Sequence, residues 1–77
     1  MEKQNLLAYL EQIQPGDALE VSAHFGVSYE TAAMALLRLT RQDLTSRYLD
    51  EESGLYCYEL TPKGEDRLDY LNHMDLA

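Results

Sequence analysis

A chain of 77 residues with fourteen acidic against six basic side chains, a net charge of −8, has room for one small core and none for a large enclosed substrate pocket. Its composition, 45% hydrophobic and 26% charged, is that of a folded protein rather than a disordered one, and no apolar run reaches the ~20 residues that a bilayer span needs. The single Cys57 has no partner for an internal disulfide or a cysteine-based metal site. The polar start "MEKQNLLAYLEQIQ" does not read as a secretory leader, so the cytoplasm is the expected compartment.

Taken in chain order, Lys3 to Gln12 places Leu6, Leu7, Leu10 and Ile13 at helical spacing, one apolar stripe. "QPGD" stops that helix in a turn. Asp17, with Glu20 three residues on, forms a capping box and opens a short second helix, Ala18 to Phe25, that buries Ala18, Val21 and Phe25. Gly26 supplies the left-handed end and Ser28 the N-cap of a third helix, about Tyr29 to Gln42, burying Ala32, Leu36 and Leu39. Two helices joined by the tight turn "GVS" have the layout of a helix-turn-helix.

"SRYLD" and "LYCYEL" flank "EESG" and read as a β-hairpin with Gly54 in its turn. Tyr56, Tyr58 and Leu60 share one face of the second strand, taken as inward. "TPKG" opens the last helix: Thr61 caps it, Pro62 takes the first helical position, and Leu68 and Leu71 pack back. The order helix, helix, helix, strand, strand, helix makes one α+β domain over residues 1–77.

Two stretches in this order, "EVSAHFGVSYETAAMALLRL" and "YELTPKGEDRL", resemble the winged helix-turn-helix family, in particular small bacterial and archaeal transcription regulators. The resemblance covers nearly the whole chain. It implies a helix-turn-helix over about 17–42, a two-stranded wing over about 45–60 and a closing helix over about 61–74. It further implies that helix three enters the major groove of double-stranded DNA while the hairpin tip "DEESG" meets backbone or minor groove.

The residues of that face carry unusual chemistry. With Ala32, Leu36 and Leu39 inward, helix three turns outward Glu30, Ala33, Met34, Leu37 and Arg41, a continuous stripe. A base-reading helix ordinarily presents Arg, Asn, Gln or Lys there, since those side chains pair with guanine or adenine edges. Here Ala33 can touch a thymine methyl and Ser28 or Tyr29 can bond a phosphate. Glu30 stabilises the first helical turn by roughly 0.3–1 kcal/mol and stands where a phosphate would sit. The wing carries Asp50, Glu51 and Glu52 beside Gly54, where DNA-binding members of the family usually have Arg or Lys. Arg41 and Arg47 are the cations placed to flank a groove, while Arg38 and Arg41 also complement the C-terminal end of their helix.

Nothing marks catalysis. His24 and His73 are far apart in sequence, His24 reads as solvent-facing, and no phosphate loop, nucleophile elbow or zinc spacing is present. The expectations are therefore no catalytic residue, no metal, no cofactor, no small-molecule substrate and no membrane. Two functions remain. One is a small DNA-binding regulator acting as a homodimer or with a partner, using Ser28, Tyr29, Ala33, Met34, Leu37 and Arg41 in the groove and Arg47 near the backbone. The other is a protein-protein interaction module that docks through Ala33, Met34 and Leu37, its acidic wing meeting a basic partner.

Overall fold

Three leucines set the first element. In α1 (Lys3–Gln12) Leu6, Leu7 and Leu10 are buried on one face, as their spacing predicts. Ile13 is not part of that face. It is the C-cap residue, at φ −117° and ψ 71°, so its side chain leaves the stripe and stays 40% exposed. The computed structural model describes residues 1–76, with side chains through residue 74.

The turn after α1 does more than the sequence suggests. Gly16–Asp17 form a two-residue strand, β1, that pairs antiparallel with a later strand, Gly16 opposite Tyr58 and Asp17 opposite Cys57. Two residues are too few to show a period, so only the tertiary pairing defines them. Asp17 then caps α2 (Ala18–Phe25): Glu20 N donates to Asp17 Oδ1 at 2.9 Å and Asp17 N donates to Glu20 Oε1 at 3.3 Å. Ala18 and Val21 are buried. Phe25, expected in the core, is only half-buried; as the last helical residue it lies at the rim, edge-on to Tyr9 and His24. Gly26 closes the helix at φ 67°, a conformation costly for any residue with a Cβ.

α3 (Tyr29–Arg41) starts on Ser28, whose Oγ accepts from Thr31 N at 3.1 Å, and ends at Gln42, which is its C-cap. Ala32, Leu36 and Leu39 are its buried side. The chain leaves through Asp43, at φ 61°, and Leu44 is driven into the core. Strands β2 (Thr45–Asp50) and β3 (Leu55–Leu60) pair antiparallel, from Thr45 opposite Leu60 to Asp50 opposite Leu55, giving the sheet order β1-β3-β2. Each strand is about 20 Å long. Only its base lies over the helices, so Thr45, Tyr58 and Leu60 are buried. Tyr56, expected inward with Tyr58, is on the same face but on the projecting half, and is 43% exposed.

α4 (Pro62–Leu76) runs slightly beyond its expected end. Thr61 Oγ1 accepts from Gly64 N at 3.0 Å and donates to the Asp43 carbonyl at 2.6 Å, tying the start of α4 to the turn after α3. Leu68 is buried, Leu71 packs beside it, and Gln4 Nε2 donates to Asn72 Oδ1 at 2.8 Å across to α1. The core is aliphatic apart from Tyr58.

Candidate nucleic-acid interface

The Ser28 cap and the αL turn at Gly26 aim α3 so that its apolar inner side faces α2 while its outer side stays free. On that outer side Glu30, Met34 and Arg41 are exposed, and Ala33 and Leu37 are half-buried. The half-buried pair sits at the bottom of a cleft of about 180 Å³ between α3 and the hairpin. Tyr29 and Met34 line it from α3; Arg47, Tyr56 and the buried Tyr58 line it from the hairpin.

The structure thus brings together five of the expected residues, Tyr29, Ala33, Met34, Leu37 and Arg47, on one concavity. Three others lie outside it. Ser28 Oγ is engaged locally, accepting from Thr31 N and donating to Thr31 Oγ1 at 2.9 Å. Glu30 borders a separate surface hollow with Thr31, Ala35 and Arg38. Arg41 is exposed in the last turn of α3, away from the cleft. Three lining residues were not expected at the site, Ala18, Tyr56 and Tyr58. The strand register is the signal for Tyr56: Arg47 lies opposite Tyr58, so Tyr56 is its diagonal neighbour on the same face. The Arg47 guanidinium rests over the Tyr56 ring, which holds the hairpin's one basic side chain at the cleft mouth.

The wing acids are not equivalent. Asp50 builds the turn: its Oδ1 accepts from Glu52 N, its Oδ2 from Ser53 Oγ, both at 3.1 Å, and its carbonyl from Gly54 N at 2.8 Å. Gly54 takes the left-handed position at φ 74°. Glu51 and Glu52 are simply exposed.

On the opposite face of the hairpin Tyr48 pairs with Cys57. Burial, then the neighbouring negative charges of Asp50 and Asp17, pushes the Cys57 thiol above its ordinary range, so it is a poor nucleophile at neutral pH. Tyr48, although about half exposed, is raised too, by partial loss of water contact first and then by Cys57, Glu59 and Asp50. In α1 the Tyr9 hydroxyl is raised by burial, then by Glu20 and Asp17; its ring stacks on His24 at 4.3 Å between centroids. Among the described residues no group of three or more His, Cys, Asp or Glu is placed to hold a metal ion, and no helix is long and apolar enough to cross a membrane.

No protein-family model and no curated protein sequence matches this chain. Solved structures do. A MepR mutant from a multidrug-resistant S. aureus clinical isolate superposes with a TM-score of 0.84 at 20% identity, over 94% of this chain and 54% of that one. The fold is a winged helix. A second S. aureus MepR mutant, bound to an oligodeoxyribonucleotide, matches with a TM-score of 0.78 at 20% identity, over 96% and 59%. The PcaV transcriptional regulator from Streptomyces coelicolor, in complex with its natural ligand, matches with a TM-score of 0.72 at 22% identity, over 97% and 61%. The chain therefore spans little more than half the length of these proteins. In winged-helix terms α2 and α3 are the helix-turn-helix, the β2–β3 hairpin is the wing, and β1 is the short third strand that ties the wing to the helices.

Proposed function

We propose that this chain is the DNA-binding module of a small transcription regulator, acting in the cytoplasm as a homodimer or with a partner subunit and carrying out no catalysis. α3 enters the major groove with Tyr29, Ala33, Met34 and Leu37 toward the bases. Arg41 and Arg47 meet backbone phosphates on either side. The observation that carries this reading is the cleft itself: Ala33, Met34 and Leu37 of the outward stripe of α3 and the wing cation Arg47 line one concave surface. The likeness to a winged-helix protein bound to an oligodeoxyribonucleotide supports it.

Electrostatics explains why a second subunit belongs in the reading. Each copy brings two cations near the interface but a net charge of −8 overall, so long-range attraction to DNA is weak. Two copies on adjacent half-sites double the phosphate contacts and add their base contacts.

The test is fluorescence anisotropy of a labelled generic duplex, titrated at low and then moderate salt. Binding at low salt with a log–log salt slope of about −2 to −4, the value for two to four neutralised phosphates, is the expected result. No binding at micromolar protein in low salt overturns the reading. The α3 stripe would then act as a protein-docking face, recognised by DNA-independent association that Met34→Glu and Leu37→Glu abolish.

A further inference from the structure

We infer that α3 recognises its DNA mainly through the C5-methyl groups of thymine, and that sequence preference comes from apolar contact rather than from hydrogen bonds to base edges. This rests on the DNA-binding reading above. Of the exposed and half-exposed residues in the turns from Tyr29 to Leu37, Thr31 Oγ1 already accepts from Ser28 Oγ and Ala35 lies beside Arg38, which leaves Tyr29, Glu30, Ala33, Met34 and Leu37 toward the bases. Tyr29 brings one hydroxyl donor and Glu30, a carboxylate, only acceptors. The side chains that read guanine, Arg or Lys on O6 and N7, are missing from these turns, since Arg38 and Arg41 come only in the last turn.

A G·C pair placed against Ala33 and Met34 would lose water from O6 and N7 without gaining a partner, which is costly. An A·T pair also carries polar atoms on that edge, adenine N7 and N6 and thymine O4, but it alone adds a methyl group, which is buried against carbon and sulfur. Met34 has the surface to give, being 48% exposed, and its unbranched side chain adapts to the position of the methyl. Ala33 and Leu37 are fixed below it, half-buried on the cleft floor. From Glu30 to Leu37 the stripe rises about 10 Å, the height of about three base pairs at roughly 3.4 Å each. The inference is therefore a run of about three methyl-bearing positions in each half-site.

The experiment enriches binding duplexes from a random 20-base-pair pool, then replaces each thymine of the enriched sequence singly by deoxyuridine. Deoxyuridine differs from thymidine only by the methyl group. We expect about fourfold weaker binding for each methyl that was buried, confined to a few consecutive positions, and no change elsewhere. Met34→Ser should erase the difference at one of these positions, Met34→Leu should keep it, and Arg47→Ala should weaken thymine and uracil duplexes equally. A uracil duplex bound as tightly as its thymine parent overturns the methyl readout while leaving DNA binding intact. Failure of the pool to yield any bound duplex removes both.

Discussion

The guanidinium carbon of Arg47 lies 4.1 Å from the centroid of the Tyr56 ring, a diagonal pair on the α3-facing side of the hairpin. A long, flexible side chain is thereby held at one place on a surface otherwise short of positive charge. Arg47→Ala should weaken DNA binding for all sequences and reduce the salt slope by about one. Tyr56→Leu keeps the charge but frees the side chain, so binding should weaken by less, with the salt slope unchanged. Equal salt slopes for the parent and Arg47→Ala would show that Arg47 touches no phosphate.

Gly64 is where α4 meets the turn after α3. A Cβ there would overlap the Leu44 carbonyl oxygen, and backbone rather than a movable side-chain end has to yield. Gly64→Ala should therefore destabilise the fold by about 1–3 kcal/mol, despite alanine's better helix propensity. Urea denaturation measures it; a midpoint equal to or above the parent's would mean the two elements separate at no cost.

The Asp17 carboxylate accepts the N3 amide of α2, and Glu20 answers it on the Asp17 amide. Asp17→Ala should cost about 1 kcal/mol of stability, and Asp17→Asn much less, because asparagine caps nearly as well. Thermal melts of the two variants separate capping from charge. An Asn variant as unstable as the Ala variant would assign the effect to charge.

Cys57, Tyr48 and Tyr9 all hold their protons more tightly in the folded chain than is usual for their kind, chiefly through lost contact with water and then through nearby acidic groups. An acid whose folded value is raised leaves stability complete below its unfolded range and erodes it as pH climbs through and past that range. Stability should thus be flat up to about pH 8 and fall above it, the thiol acting before the phenols. Cys57→Ala should delay the onset of the fall. Urea midpoints taken from pH 7 to 10 give the answer, and a flat profile to pH 10 would contradict it.

Much of this architecture can be read from single residues. Asp17 with Glu20, Gly26, Ser28 and Thr61 each mark a helix end by a local hydrogen bond or a backbone conformation, and those ends fall where the residues say. The aliphatic periods of α1 and α3 likewise name their buried sides. Legibility stops where a residue's fate depends on distant partners. β1 exists because Gly16 and Asp17 reach β3, and nothing within the two residues announces it. Tyr56 obeys the strand alternation and is still exposed, because alternation assigns a face without saying how far the core extends beneath it. Phe25 and Ile13 sit at helix ends, where the periodic argument runs out. For the interface, the stripe on α3 was visible in the spacing. The grouping of that stripe with Arg47 and Tyr56 needed the hairpin's register and its placement.

The tip of the wing divides its labour. Asp50, Ser53 and Gly54 set its shape through their own hydrogen bonds and backbone angles, whereas Glu51 and Glu52 give that shape no side-chain bond. Its polarity can accordingly be inverted without redrawing its outline. A chain bearing lysines at those two positions would keep the same loop and present phosphate with attraction in place of repulsion, so a weaker and a tighter binder of DNA can differ on this scaffold by two solvent-facing side chains.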